Sequence, residues 1–202
     1  HELVVHETQN KLKILFDGVF NCKPKSGIHR YFFNLVANLP EDFIKYSTMA
    51  VTQTNIRNHY SPPFNHFRPH RMSYFLEYVW FRKHCYSRKF DLVHSSYYNL
   101  STACLYLIKK DVPHVITVHD LIHELFDKKD SHDLESRGKI LRNAQAIITV
   151  SQNTKMDLLK VYNSIDERKI HVIHHALHEQ IIDTSSITNQ YLNSLFILYV
   201  GH

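Results

Sequence analysis

The chain has 202 residues, of which 44% are hydrophobic and 21% are charged. This composition is ordinary for a globular domain with its own core, and the presence of only four glycines and six prolines argues against a β-sandwich rich in tight turns. The formal net charge of +5 leaves anionic partners open, while the odd number of well-separated cysteines and the lack of a long apolar run predict free thiols and no membrane-spanning segment.

Short apolar runs recur along the chain and are separated by longer segments. They lie at 13–16, 47–51, 91–95, 115–118, 147–150, 170–173 and 197–200. Several of them are apolar throughout instead of alternating with polar residues, which is typical of strands that are covered on both faces. The runs therefore predict the strands of a parallel sheet.

Helical patterns lie between these runs. Apolar residues between 28 and 39 recur at the spacing of one helix face. Further helices are predicted at 73–90, 98–109 and 131–143, and Ser151 is predicted to cap a helix that follows 147–150. The alternation of strands and helices predicts an α/β fold, a Rossmann-like, doubly wound, mostly parallel sheet with helices on both faces.

The predicted domain covers most of the chain. Residues 1–11 are interpreted as a leader or an expression remnant, and residues 12–178 as one Rossmann-like domain. Residues 179–202 are interpreted as a linker and the first strand of a second domain that this chain does not contain, because a polar stretch there precedes a fresh apolar run.

His119 and Asp120 directly follow the predicted strand 115–118. In open α/β sheets, ligands bind at the carboxyl ends of the strands, and histidine can donate or accept a hydrogen bond near neutral pH. The two residues are therefore candidates for a functional site. The alternative is that they cap the next segment and fix a turn, and the spacing alone leaves both interpretations open.

Gly27 and Ser151 lie where helices are predicted to begin, at the same edge of the sheet. A helix N-terminus offers free N–H groups and a partial positive charge to an anion. The stretch "SGIHRY" (26–31) therefore permits a close approach of its backbone to a sugar or phosphate. The alternative is an ordinary helix start with Arg30 in solvent, since a single glycine is not a dinucleotide-binding motif.

The segment 55–90 has seven Lys and Arg against one Glu, with aromatic residues interleaved. One interpretation is a surface for an anionic acceptor, such as a lipid-phosphate carrier at a membrane, carried by Arg57, Arg68, Arg71 and Trp80. A second is single-stranded nucleic acid, although no RNA-binding motif supports it. The third is a helix that buries its aromatic rings and solvates its charges.

Four histidines, His171, His174, His175 and His178, have the spacing of one helix face and could bind zinc if they lay on a helix. The stretch "KIHVI" favours a strand instead, which would divide them between two faces. We therefore predict no metal site here, and expect these histidines to line or approach the cleft.

Several stretches, taken in order, resemble one known family. They are "KILFDG", "SGIHRYFFNL", "DLVHSSYYN", "VPHVITVHDLIHELF", "NAQAIITVSQNTKMDLLKVY", "KIHVIHHAL" and "ILYVG". Together they resemble the N-terminal, acceptor-side domain of GT-B glycosyltransferases of the retaining family-4 type. The resemblance covers roughly residues 12–202, and the order of the stretches carries more weight than any one of them.

The resemblance implies retaining transfer of a hexose from a UDP- or GDP-sugar, with no metal and no other cofactor. It implies that His119 contacts the donor sugar near the reacting carbon, with Asp120 beside it. The other cleft residues implied are Gly18, Gly27, Arg30, Tyr98 and Ser151. The family's donor-binding lysine and paired glutamates are absent from the sequence, which implies that this chain alone is inactive.

The expected partners are the nucleotide sugar and a glycan, lipid-linked or protein acceptor. The expected location is the cytoplasm, with peripheral contact to a membrane, and nucleic acid is not expected. The alternative function is a non-catalytic Rossmann-like module that binds glycan or nucleic acid through the basic aromatic segment.

Overall fold

The computed structural model describes residues 11–17, 26–48, 59–64, 67–84, 89–96, 102–126 and 131–176. Within these ranges the strands are β1 (Leu12–Phe16), β2 (Phe43–Ser47), β3 (His59–Tyr60), β4 (Leu92–Ser95), β5 (His114–Val118), β6 (Ala146–Thr149) and β7 (Ile170–Val172). The helices are α1 (Gly27–Asn38), α2 (His70–His84), α3 (Thr102–Ile108), α4 (Ile122–Phe126), α5 (Ser131–Asn143) and α6 (Gln152–Val161).

The strands form one sheet in the order β3-β2-β1-β4-β5-β6-β7. Every neighbouring pair is parallel. The strand order reverses between β1 and β4, and such a reversal opens a crevice at the carboxyl ends of the strands. The predicted α/β fold with a doubly wound parallel sheet is therefore confirmed.

Helices cover both faces of the sheet. Ile14 and Phe16 of β1 pack against Phe32 and Val36 of α1. Leu15 points to the other face, because successive strand residues alternate, and there it packs in a cluster with Phe81 of α2. This two-sided cover explains why several of the strands are mostly apolar.

Serine caps begin two of the long helices at the carboxyl edge of the sheet. The Ser151 side chain accepts a hydrogen bond from the Thr154 N–H at 3.1 Å, which confirms the predicted cap of α6. Ser26 accepts one from the His29 N–H at 3.2 Å, so α1 begins at Gly27. The starts of α1 and α6 therefore lie at the edge where ligands are expected.

The second strand differs from its prediction. The sequence pattern placed it at 47–51, but β2 spans Phe43–Ser47 in register with β1. The prediction was misled by Lys45, whose charge argues against a buried strand. The Lys45 ammonium instead donates to the Leu39 carbonyl at 2.9 Å, just past the end of α1, which gives the buried charge a partner.

Some predicted segments lie outside the described residues. These are the leader at 1–11 apart from Lys11, and all of 179–202 with its predicted linker and strand. Of the helices in the described ranges, none is long and apolar enough to cross a membrane.

Candidate functional site

Three aromatic rings meet at the carboxyl edge of the sheet, where β5 ends. The His119 ring lies 5.1 Å from the Tyr31 ring of α1, edge to face. His175, which follows β7, lies 5.0 Å from Tyr31 and 5.8 Å from His119. Two other elements, α1 and the segment after β7, therefore hold His119 in a fixed orientation, as a group that contacts a ligand needs.

The His119 ring carries an unused hydrogen-bonding atom. Its Nε2 is buried and has no hydrogen-bond partner in the described part of the chain. Burial lowers the pKa of His119 to about 4, with His175 adding to the effect and Asp120 opposing it. Because buried polar atoms are nearly always paired in native proteins, this neutral imidazole marks a place where a ligand hydroxyl could bind.

A buried polar layer lies beneath the rings. The Nε2 of His94 on β4 lies 2.9 Å from the Thr117 hydroxyl of β5. Burial, followed by the neighbouring His114 and His119, lowers the pKa of His94 to about 3. Burial also raises the pKa of the Tyr31 phenol, and a hydrogen bond with Thr117 opposes this rise. The layer is therefore uncharged at neutral pH and supports the rings above it.

The start of α6 is hydrogen-bonded to the segment that carries His119. Ser151 caps α6 through Thr154, and the Thr154 hydroxyl in turn donates to the His119 carbonyl at 3.4 Å. Ser151 and His119, which were predicted to share one edge, are thus brought together through one residue.

The start of α1 is open to solvent. Gly27 and Arg30 are both exposed in the first turn of the helix, four residues or fewer before Tyr31. A Cβ atom added at Gly27 would meet no described atom within 4 Å. Packing among the described residues therefore does not require a glycine at this position.

Comparison with known proteins decides the family. The model of glycosyltransferase family 4 matches residues 26–180, which include the whole ring cluster. The chain belongs to glycosyltransferase family 4. Among curated proteins, none matches the sequence.

Solved structures show the same fold for this family 4 domain. Sucrose-phosphate synthase from Thermosynechococcus elongatus is 15% identical with a TM-score of 0.58, over 84% of this chain and 49% of that one. HepE from Anabaena, solved in complex with UDP and glucose, is 14% identical with a TM-score of 0.53, over 82% of this chain and 45% of HepE. The domain thus has the architecture of half of a GT-B glycosyltransferase, and the chain spans about half the length of these two proteins.

Asp120 has a local role in the family 4 domain. Its Oδ1 accepts a hydrogen bond from the Ile122 N–H at 3.2 Å, at the start of α4. A buried ion pair between Glu124 and Arg137 then fixes α4 against α5. The hydrogen bond between Asp120 and the Ile122 N–H matches the alternative in which Asp120 fixes a turn. The part of Asp120 in catalysis stays a prediction.

Asp17 and Ser96 are further candidate residues at this edge that the sequence analysis did not single out. Asp17 follows β1 and is buried, with its N–H donating to the His94 carbonyl at 2.9 Å and its Oδ1 accepting from Thr48 at 3.4 Å. Ser96 follows β4, and its buried hydroxyl has no partner in the described ranges. The signal that identified His119, a polar residue directly after a strand, applies equally to both.

The remaining predicted residues are scattered or lie outside the described part of the chain. Gly18, Arg57 and Tyr98 are outside it. Arg68 and Arg71 are exposed near the start of α2. Trp80 is half-buried, packs on the core and stacks on His84 at 5.2 Å. Because Arg57 lies outside the described residues, the predicted acceptor or membrane face of these four residues stays a prediction.

The histidines near the end of the described chain lie on a strand and the segment after it. His171 is in β7, while His174 and His175 follow it, and His178 is outside the described residues. His174 holds this segment against β6 through a 3.2 Å contact with the Val150 carbonyl. In the described ranges, no group of three or more His, Cys, Asp or Glu side chains could hold a metal ion.

Proposed function

We propose that the chain is the acceptor-side half of a retaining glycosyltransferase that moves a hexose from a UDP- or GDP-sugar to a glycan, lipid-linked or protein acceptor. Family membership and the fold support the transferase class. The complex of HepE with UDP and glucose supports a nucleotide sugar as donor. The observation that carries the proposal is the buried Nε2 of His119 at the crevice, which has no hydrogen-bond partner among the described residues.

In this proposal, His119 binds a hydroxyl group of the donor sugar next to the reacting carbon. A pKa of about 4 keeps the ring neutral at pH 7, so it acts by orienting and polarising the sugar and does not supply a proton. Tyr31 and His175 hold the ring from two sides. A group that is already in place loses no orientational freedom when the transition state forms.

The diphosphate of the donor needs positive potential as it leaves. We assign this task partly to the starts of α1 and α6, whose N–H groups lie at the carboxyl edge, and partly to Arg30. Gly27 leaves room for the phosphates beside α1. These donors replace a cation, so the proposed reaction requires no metal and no other cofactor.

The proposed enzyme is a longer, two-domain protein in which a second domain holds most of the donor. The proposal is supported by the chain spanning only 49% and 45% of the two solved proteins of the same fold. The isolated chain is accordingly proposed to be inactive. We assign the reaction to the cytoplasm, because three well-separated cysteines are typical of a protein from a reducing compartment.

The test is nucleotide release from UDP- and GDP-hexoses, offered one at a time with a mixture of glycan and lipid-linked acceptors. The protein extended through a second domain is compared with the 202-residue chain, each with and without a chelator. Release by the long form only, unaffected by the chelator, supports the proposal. Sugar binding without release by either folded protein would favour the non-catalytic glycan-binding module.

A further inference from the structure

The helix α2 presents apolar side chains to solvent. Met72, Phe75, Leu76 and Val79, here called the outer stripe, are 50%, 61%, 40% and 43% exposed. They recur at i, i+3, i+4 and i+7, the spacing of a single helix face. Helices that rest on a sheet normally bury such a face, so the outer stripe needs an explanation.

The opposite face of α2 is fixed to the domain. Ser73, Glu77 and Phe81 are its buried residues. The Ser73 hydroxyl donates to the Glu77 carboxylate at 3.2 Å and accepts from the Phe67 N–H at 3.3 Å, while Phe81 packs in the core. Rotating α2 to bury the outer stripe would break these contacts and expose Phe81. The outward direction of the stripe is therefore built into the fold.

The exposed charged residues of α2 all have one sign. Arg71, Arg82 and Lys83 are exposed on α2 and flank the stripe. Glu77 is the helix's only acidic residue, and it is buried on the other face. An occupant of this surface must therefore offer both an apolar interior and negative charge at its edge.

We propose that α2 lies flat in the surface of an anionic lipid bilayer, with the outer stripe among the acyl chains and the basic residues at the headgroups. This arrangement, an apolar helix face bordered by Lys and Arg, is how interfacial helices bind membranes. Each basic residue near such a surface adds attraction to anionic lipid. The inference does not rest on the proposed transfer reaction, because lipid binding needs no turnover.

Two other occupants fit less well. A second copy of the chain, packed by two-fold symmetry, would bring Arg71, Arg82 and Lys83 against their own counterparts with no acid on that face. Single-stranded nucleic acid stacks its bases on aromatic rings, but three of the four stripe residues are aliphatic. Both occupants are outcomes of the test below.

The test is flotation of the protein with vesicles of phosphatidylglycerol and phosphatidylcholine in equal parts, and with vesicles of phosphatidylcholine alone. The variant Phe75→Ser removes the most exposed residue of the stripe. Its matched control is Phe126→Ser, which changes an even more exposed phenylalanine, at 78%, on α4. A double variant, Arg71→Gln with Lys83→Gln, tests the charges, and circular dichroism checks that each variant is folded.

We expect the wild type and Phe126→Ser to float with the anionic vesicles only. Phe75→Ser should bind about tenfold more weakly because an apolar side chain leaves the membrane. The double variant should lose about fivefold for each charge removed. Four results would overturn the proposal. Two concern lipid: no flotation of the folded wild type, or equal flotation of Phe75→Ser. The other two are dimerisation that depends on Phe75 and tighter binding to an oligonucleotide than to vesicles.

Discussion

The helices α1 and α2 both carry apolar residues at helical spacing, yet they bury opposite kinds of surface. In α1, Phe32 and Val36 are buried against β1. In α2, the apolar stripe around Phe75 is exposed, while Ser73 and Glu77 point inward. Each of the two helices packs on one face of the same sheet. This shared arrangement therefore does not explain why one helix buries its apolar stripe and the other exposes it.

The comparison teaches that helical spacing identifies which residues share a face but not where that face points. The direction is decided by partners that lie far away in sequence. The Phe32 ring packs against the His94 ring, 5.2 Å away, beneath the candidate site. Ser73 finds the Phe67 N–H and the Glu77 carboxylate. As a result, α1 supports the candidate site and α2 presents an apolar surface to solvent.

The largest expected difference between the helices is in stability. Phe32→Ala should lower the free energy of unfolding by about 3–5 kcal/mol, because it leaves a cavity in the core. Phe75→Ala should change it by less than about 0.5 kcal/mol, because that ring is in solvent. Urea denaturation of both variants checks this. Similar losses for the two would mean that the outer stripe is not exposed in solution.

Acid should weaken the domain through buried histidines that lie on both faces of the sheet. His94 has a pKa of about 3 when folded, and His114 and His119 have pKa values of about 4, all from burial. The unfolded value is about 6.5, so the unfolded chain binds more protons below that pH.

The stability provided by these neutral histidines is therefore complete above about pH 6.5 and is lost as the pH falls toward 4. The slope should be about 1.4 kcal/mol per pH unit for each proton taken up on unfolding. Urea denaturation between pH 7.5 and 5 measures it. His94→Gln should reduce the slope, and an unchanged slope in that variant would show that His94 is not the buried neutral group described here.

A smaller effect is expected from the inward polar face of α2. Ser73→Ala should cost about 1–2 kcal/mol, because it leaves the Phe67 N–H and the buried Glu77 carboxylate with one partner fewer. The matched control is Ser96→Ala, which removes a buried hydroxyl that has no described partner and should be near neutral. Thermal unfolding compares the two, and equal costs would contradict the anchoring of α2 through Ser73.

The smallest effect on stability is expected at the start of α1. Gly27→Ala should stabilise the domain by up to about 1 kcal/mol, because alanine loses less backbone entropy and meets no described atom. In the proposed two-domain enzyme, the same variant should raise the KM for the nucleotide sugar, because the added methyl group occupies space assigned to the phosphates. An unchanged KM would remove Gly27 from the donor site.

Part of the fold and of the candidate site could be predicted from the sequence. Apolar runs and their spacing predicted the parallel sheet and most of its helices, and the cap at Ser151 was predicted from its residue type and position. The position of His119 at a strand end was also predictable, since it depends only on the strand that precedes it.

The rest depends on contacts between distant segments. The position of β2 could not be predicted, because Lys45 is acceptable in a buried strand only once the Leu39 carbonyl is beside it. Nothing in the sequence around Tyr31 indicates that it meets His119 and His175, which come from other elements. Asp17 and Ser96 were within reach of the strand-end rule, but their burial was visible only in the fold.

The most direct test of the proposed role of His119 is the turnover of His119→Gln in the active two-domain protein. The control is His171→Gln, which changes an exposed histidine on β7. Loss of one hydrogen bond that orients the transition state should lower kcat/KM about 100-fold or more, with the control near wild type. Wild-type kcat/KM in a folded His119→Gln variant would contradict the role assigned to the ring cluster.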